Sequence, residues 1–464
     1  MRTTTSLELL FNPRALALVG ATGDRRKSGG NFLNGLLKLY RGRLYAVNPN
    51  MEEAMGLRCY PSIRDVPDTI DLAIIATPAR AVPTVLDDCV TKGVPFAVIH
   101  GAGFKEVGSE GAMLERDVVA RARAGGLRLV GPNCMGIFSP DAGIDTVTYG
   151  RDLDREPGPV SAFGQSGWLC GALLVNGTER GIRFRRVVSS GNQADLGTGD
   201  YLRDFAADAE TGIVAGYVEG LSDGRAFLDA AIEAARRKPV VLWKAGGTGS
   251  GARAALSHTG SLAGDGVVAE AALRQAGVSR VSGLEELLDR IVAFHAPCLP
   301  GGPRVGVIVD AGGGAVTAGD ACERAGLQVP ALGEETQDRL RRLLAGVVPP
   351  FSGISNPVDL VWPPDSEEAR LLLGCMELIS PLVDSFLFVL YTSLSDPKFA
   401  EALRLAGERQ GKPVFVVPAL YSRERAGMAL YTQKRMPTFP TVERAASGLG
   451  ALVEYARFLD GREC

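Results

Sequence analysis

The segment RAALSHTGSLAG (253–264) sets His258 between Ser257 and Thr259, with Gly260 and Gly264 close behind. The whole chain has 3 histidines. An imidazole in a small, uncharged, glycine-rich loop has little to pack against, so its ring is open to chemistry. Beside an anion site a neutral imidazole can act as a nucleophile toward phosphorus, while nearby dipoles stabilise the transferring charge. A carboxylate would orient such a ring and favour its cationic form. Glu219 is the candidate, because it closes the apolar run GIVAGYVE (212–219), where an acid is out of place. The plainer alternatives are a loop histidine that only hydrogen-bonds and a solvated carboxylate at a strand end. His100 follows the apolar run FAVI and reads as structural. His295 closes a helical pattern before Pro297, where a cation would favour the helix dipole.

Anion sites are readable elsewhere. GQSG (164–167), SSGNQADLGTGD (189–200) and KAGGTGSGARAALSHTGSLAG (244–264) are turns rich in small polar residues, each placed where a strand pattern gives way to a helical one. In an open parallel sheet such turns gather at the carboxyl edge, where ligands bind. The helix after GQSG would turn unpaired N–H groups and its positive end toward an anion. A fourth turn, VGATGDRRKSGG (19–30), has the spacing Gly20-x-x-Gly23, short of the dinucleotide fingerprint. The next strand ends VNPN (47–50), so Asn48 stands where a nicotinamide-binding domain keeps an acid for the ribose. Arg25, Arg26 and Lys27 crowd the turn. That arrangement disfavours NAD and suits a multiply phosphorylated nucleotide such as coenzyme A. A tight turn beside a solvated basic cluster remains the alternative.

These residues need α/β units to hold them. Short β-branched runs alternate with helical patterns along all 464 residues, the signature of parallel sheets covered on both faces. ALALVG (15–20), LYAVN (44–48), DLAIIATP (71–78), FAVIHGAGF (96–104) and LRLVGPN (127–133) predict a Rossmann-like domain over residues 1–150. After the polar stretch 151–159, VSAF (160–163), RFRRVVSS (183–190), GIVAGYVEG (212–220) and PVVLWKAG (239–246) predict a second α/β domain over 151–298. The breaker PCLPGGP (297–303) opens a third, 299–464, with RVGVIVDAGGG (304–314), SFLFVLYTS (385–393) and PVFVVPAL (413–420). Both later domains are expected to be flavodoxin-like. The Pro-rich stretch 347–364 lacks periodicity and reads as a functional or interdomain loop.

A net charge of −3 gives no electrostatic case for nucleic acid or an anionic membrane as partner. The 8 cysteines are scattered without a C-x-x-C pair, so reduced thiols are expected, with no zinc or disulfide framework and no metal site. No apolar run has the length of a membrane span, and the N-terminal stretch lacks a signal-peptide core. A cytoplasmic protein is expected.

In type and order, several segments resemble the α subunits of ADP-forming (NDP-forming) acyl-CoA synthetases, and more distantly the α subunit of succinyl-CoA synthetase. They include VNPN (47–50), DLAIIATPA (71–79), GAGFKEVGSEG (101–111), GPNCMGI (131–137), GQSG (164–167), SSGNQAD (189–195), YVEGLSDGRAF (217–227), KPVVLWKAG (238–246), SHTGSLAG (257–264), DAGGGAV (310–316) and NPVDL (356–360). The resemblance implies a first domain that binds coenzyme A along Gly20, Thr22, Arg25, Lys27, Asn48, Thr77, Pro78 and Asn133. It implies that His258 is phosphorylated in turnover with Glu219 in support, and that Gln165, Ser166, Gly167, Ser257 and Gly260 hold phosphate. The activity implied is acid–CoA ligation through an acyl phosphate, with ATP or ADP and Mg2+ on a separate ATP-grasp β subunit, since the chain reaches Cys464 without an ATP-grasp segment. A hetero-oligomer acting on a small carboxylic acid or its acyl-CoA is expected. Two departures stand out. Gly164 takes a place where relatives often have Ser, and Trp168 replaces a small residue, which would narrow the acyl pocket. The other functional readings are a CoA-binding scaffold without catalysis and an acyl or carbamoyl transferase that needs no nucleotide; an NAD-dependent reductase ranks last.

Overall fold

A computed structural model of the chain describes residues 6–148, 151–221, 223–251, 253, 266–310, 312–390, 397–418 and 425–461. It contains two seven-stranded sheets and one five-stranded sheet, all mainly parallel. Residues 1–176 and 183–282, with the first two sheets, form one compact unit; residues 177–182 and 283–464, with the third, form another. Every run read as a strand contains one. ALALV, LAII and FAVI are buried along their whole length, as strands covered on both faces must be.

The first sheet runs Glu53–Ala54, Leu57–Tyr60, Arg43–Val47, Ala15–Val19, Leu72–Ile75, Phe96–Ile99, Arg128–Val130. From Ala15–Val19 the chain winds outward one way, then returns to begin the other half at Leu72–Ile75. Strand order reverses between these two, and the crevice at their carboxyl ends is where such sheets take ligands. At the opposite edge Asp71 accepts from Arg14 Nε and Nη2 at 3.2 and 3.1 Å. The third sheet has the same fastening, Arg304 to Asp384 at 2.9 and 2.7 Å.

The second sheet runs Ser279–Val281, Val240–Lys244, Ile213–Val218, Val160–Gly164, Phe184–Ser189, Gly136–Ser139, Ile144–Asp145. Apart from the last two, this is a flavodoxin-like order, with its reversal between Val160–Gly164 and Ile213–Val218. Gly136–Ser139 and Ile144–Asp145 join antiparallel at the edge, although they precede the polar stretch 151–159. The third sheet runs Gly353–Ile354, Val358–Asp359, Val305–Val309, Ser385–Leu390, Val414–Pro418. Its first two strands lie inside the Pro-rich stretch, too short for any periodicity to show.

Helices cover the sheets by burying one face. Leu284–Phe294 buries Leu287, Leu288, Ile291 and Val292, an i, i+1, i+4, i+5 stripe. Full burial of each is worth roughly 1.5–3 kcal/mol. His295 follows, and here the structure corrects the expected cation. Its ring is buried with Nδ1 2.7 Å from the Ile291 carbonyl oxygen, and burial holds its pKa below the ordinary value. Desolvation outweighs the Ile291 hydrogen bond that favours the charged ring. Cysteines of the described residues are free thiols, and among those residues no helix is long and apolar enough to cross a membrane.

Candidate active site

At the reversal point of the first sheet the backbone comes close on both sides. Gly20 has φ +89°, and a Cβ there would stand 2.8 Å from the Ala76 carbonyl oxygen. The helix Ser28–Leu39 starts against the turn itself, since a Cβ on Gly29 would stand 2.1 Å from the Gly20 carbonyl oxygen, well inside contact distance. Asn48 Nδ2 donates to the Ala21 carbonyl at 2.8 Å, and its Oδ1 accepts from the Asn50 N–H at 2.9 Å. Thr22 Oγ1 accepts from the Asp24 N–H, and Arg26 spends its charge on Asp24 at 3.0 Å. Arg25 and Lys27 are exposed beside it.

Across the crevice, Thr77 Oγ1 is buried without a hydrogen-bond partner. Such a group costs about 1–3 kcal/mol. Close backbone, an orphaned hydroxyl and two free-standing cations fit a nucleotide diphosphate with a further phosphate. Pro78 stands exposed at the rim. His100 is structural, as expected: Nε2 lies 2.9 Å from Ser28 Oγ and Nδ1 2.7 Å from the Cys134 carbonyl oxygen. Burial lowers its pKa, partly offset by the Cys134 hydrogen bond.

The second sheet's reversal point is occupied by a side-chain amide. Gln165 Oε1 accepts from the N–H groups of Glu219 and Gly220 at 2.5 and 3.0 Å, while Nε2 donates to the Gly220 carbonyl at 2.9 Å. Nε2 also reaches Gln193 Oε1 at 3.3 Å. Both amide protons are therefore engaged within the protein. Gln165 joins the start of helix Gly167–Glu179 to the end of strand Ile213–Val218. Ser166 Oγ accepts from the Leu169 N–H at 3.4 Å. A Cβ on Gly164 would come 2.7 Å from Cys170 Sγ. Cys170 therefore fills the space that a larger residue at 164 would need, and burial pushes its thiol up to about 12. Trp168 is 76% exposed at the helix start.

Glu219 is only 6% exposed. Two neighbours that sequence reasoning missed frame its carboxylate. Burial raises the Tyr217 hydroxyl well above the usual tyrosine range, and the charge of Glu219 and a hydrogen bond to it push the same way. Lys244 Nζ donates to the Glu219 and Ala245 carbonyls at 2.7 and 2.6 Å. Burial lowers the Lys244 pKa, and attraction to Glu219 opposes that shift. Both were findable. Tyr217 is two residues before Glu219, hence on the same strand face, and Lys244 ends the adjacent parallel strand in register with Val218.

The first two sheets meet beside this edge. Asn192 Nδ2 donates to Glu106 Oε2 and Glu115 Oε2 at 2.7 and 2.8 Å, and Lys105 Nζ donates to the Asn192 carbonyl at 2.7 Å. Burial alone would raise Glu106. Hydrogen bonds from Asn192 and from the N–H groups of Gly103 and Phe104 outweigh it, so the carboxyl sits below its ordinary range. Asn133, at φ +55°, reaches Asn192 Oδ1 at 3.4 Å. The loops bordering the crevice of the first sheet and the turn that carries Asn192 in the second are thus tied to one another. Ser257, His258 and Gly260 lie outside the described residues, in the connection from strand Val240–Lys244 to helix Gly266–Gln275. Among the described residues no cluster of His, Cys, Asp and Glu could hold a metal ion.

Comparison with known proteins bears on this arrangement. Residues 14–140 match a CoA-binding domain, and residues 157–294 match the succinyl-CoA ligase-like flavodoxin domain. The chain is 35% identical over 466 residues to the Pyrococcus furiosus acetate–CoA ligase [ADP-forming] II subunit alpha, covering 98% of this chain and 99% of that one. It is 40% identical over 361 residues to the Archaeoglobus fulgidus acetate–CoA ligase [ADP-forming] I, covering 78% of this chain and 51% of that longer protein. Among solved structures it is similar to the dinucleotide forming acetyl-coenzyme A synthetase 1 of Ca. Korarchaeum cryptofilum in complex with phosphate and ADP, with TM-score 0.87, 35% identity and 98% of each chain covered.

Proposed function

The chain belongs to the family of ADP-forming acid–CoA ligase α subunits, and from that premise we propose how its residues divide the reaction. The first sheet binds coenzyme A at Gly20, Thr22, Arg25, Lys27, Asn48, Thr77, Pro78 and Asn133. The second carries the phosphoryl group on His258. A separate ATP-grasp β subunit holds the nucleotide with Mg2+, in a cytoplasmic hetero-oligomer. Free, buried thiols support that compartment.

In the thioester-consuming direction, inorganic phosphate lies against the helix start at Ser166 and Gly167, with Ser257 and Gly260 from the histidine loop completing its cradle. A phosphate oxygen attacks the thioester carbonyl, the C–S bond breaks, and CoA leaves as thiolate. The acyl phosphate then passes its phosphoryl group to a ring nitrogen of His258, releasing the carboxylate. Glu219 holds the ring proton on the opposite nitrogen and balances the positive charge that develops. Transfer from His258 to the nucleoside diphosphate completes turnover, and synthesis runs the same steps backward. Gln165 acts here as a positioning residue, its amide being engaged by the Glu219–Gly220 backbone.

The observation that carries this reading is that amide clamp: one side chain joins a helix start to the end of the strand bearing a buried glutamate. In the complete complex, ATP or acyl-CoA with phosphate should leave an acid-labile, base-stable phosphate on His258. His258→Ala should abolish nucleotide-coupled thioester formation and leave coenzyme A affinity within about twofold. A coupled His258→Ala enzyme would defeat the assignment.

A further inference from the structure

Glu219 carries its carboxylate on a flexible stem just past the end of strand Ile213–Val218, so a histidine can use it only where neighbours hold it still. Tyr217 lies two residues earlier, on the same strand face. Its phenol hydrogen-bonds to the Glu219 carboxylate, whose two oxygens accept several such bonds between them. The phenol ring is itself held. Tyr217 and Trp243 are register partners on adjacent parallel strands, and their rings meet edge to face with centroids 5.0 Å apart, an arrangement that aromatic quadrupoles favour. A donor seated in this way occupies one side of the carboxylate and leaves the other oxygen to meet an imidazole N–H.

Lys244 follows Trp243 and ends that neighbouring strand. Its ammonium donates to the Glu219 carbonyl at 2.7 Å and to the Ala245 carbonyl at 2.6 Å. One cation therefore ties the residue that bears the carboxylate to the first residue of the connection that contains His258. Its charge and the buried carboxylate also attract one another, and a buried carboxylate needs such a partner. The same strand has a comparable staple near its other end. Lys238 donates to the carbonyls of Phe205, at 3.2 Å, and of Asp208. That is the amino edge, opposite the edge at which open α/β sheets bind ligands. Two lysines thus fasten carbonyls around one strand, and Lys244 alone of the pair stands beside Glu219.

We propose that Tyr217 and Lys244 are positioning residues for phosphoryl transfer: Tyr217 fixes the Glu219 carboxylate, and Lys244 fixes the backbone beneath it against the root of the His258 connection. Neither touches the reacting atoms, and both act by letting carboxylate and imidazole meet in one geometry. The proposal rests on the ligase reading above. Its readout is the first-order rate at which ATP phosphorylates His258 in the complex with the nucleotide-binding partner, followed by rapid quench.

Tyr217→Phe keeps the ring against Trp243 and removes the hydroxyl; Lys244→Met keeps the length of the side chain and removes the ammonium. Each should lower that rate about tenfold to a hundredfold, the scale of a misplaced catalytic group, with coenzyme A affinity held within about twofold. Lys238→Met should lower the melting temperature and leave the rate per folded molecule within about twofold of wild type, because its staple lies at the wrong edge. A purely structural part for Tyr217 would survive removal of Glu219, so the decisive arm is a double-mutant cycle. In a Glu219→Gln background, Tyr217→Phe should cost less than about twofold, having nothing left to position. Thermal melting confirms folding, and Tyr217→Phe carries the test if Lys244→Met does not fold. A folded Tyr217→Phe or Lys244→Met that phosphorylates at the wild-type rate overturns the proposal. So does an equal loss from Tyr217→Phe with and without Glu219. A wild-type complex that forms no phosphohistidine overturns the ligase reading itself, an outcome visible before any variant is made.

Discussion

Two glycine turns of this molecule look alike in sequence and differ in what surrounds them. VGATGDRRKSGG follows the first strand of the first sheet, and VDAGGG follows the first strand of the third. In the former, glycines let backbone meet backbone: Gly20 is in a left-handed conformation against Ala76, and Gly29 lies on the Gly20 carbonyl. In the latter, Gly313 is the second residue of the helix Gly312–Arg324, and no atom of the described residues lies within 4 Å of a Cβ there. A strand–glycine–helix pattern is therefore a local device. It marks a site where the chain closes on it from a neighbouring strand, as Ala76 and the Thr77 side chain do on the first turn.

Alanine at the two positions should break the likeness most strongly. Gly29→Ala drives a methyl into a carbonyl oxygen that the turn cannot withdraw. We expect a loss of roughly 3 kcal/mol or more, with coenzyme A affinity falling at least tenfold as the turn opens. Gly313→Ala meets no atom and replaces the least favourable ordinary residue of a helix, so a gain of about 0.5–1 kcal/mol is expected. Denaturant titration of both variants, with coenzyme A titration of the first, decides the point. A tolerated Gly29→Ala would mean that the crevice is not the close-packed cradle described.

A second pair sharpens the contrast between fastening and function. Gln165 and Asn356 are both side-chain amides that satisfy strand backbone. Asn356 Oδ1 accepts from the Val307 N–H at 2.9 Å and Nδ2 donates to the Val305 carbonyl at 2.8 Å, in the third sheet. Leucine at either place strands buried backbone groups at about 1–3 kcal/mol each, so both variants should lose stability by a few kcal/mol. Only Gln165→Leu should also cut turnover, by about a hundredfold, because it releases Glu219 and the helix start from one another. Equal turnover per folded molecule in the two variants would remove the clamp from the mechanism.

Strands such as ALALV, LAII, FAVI and VGVIV were legible because each is an apolar run, buried along its whole length, that polar turns bracket. Edge strands were not. Gly136–Ser139, Ile144–Asp145 and the pairs within 347–364 are held by their neighbours, and four or fewer residues carry no periodicity of their own. At the candidate site, residue types pointed to Glu219 and the GQSG turn, and the sheet order brings both to one reversal point. The role of Gln165 was not legible. The family resemblance implies a phosphate ligand, and its partners in the structure come from the end of a strand more than 50 residues on, a pairing that only sheet order reveals. Tyr217 and Lys244 were hidden for the same reason, since their importance comes from register with Glu219 and Val218.

The smallest expected effect separates the two structural histidines. Burial lowers the pKa of both His100 and His295, so each is neutral when folded and takes a proton more readily when unfolded. The unfolded chain then binds more protons between the ordinary value near 6.5 and the lowered folded value, and stability rises with pH across that window. Their contribution is complete above about pH 6.5 and is lost as pH falls through the folded pKa of each. The limit is about 1.4 kcal/mol per pH unit per group. His295 is the more deeply buried of the two, so the third sheet should lose protection faster on acidification than the first. Hydrogen exchange at Val305–Val309 and Ala15–Val19 between pH 7 and 5, corrected for intrinsic rates, reads the difference. His295→Gln keeps a donor for the Ile291 carbonyl without a titrating ring and should flatten the third-sheet slope alone. A slope unchanged in that variant would assign the acid sensitivity to carboxylates such as Asp384, whose pairing with Arg304 holds its pKa below the ordinary value.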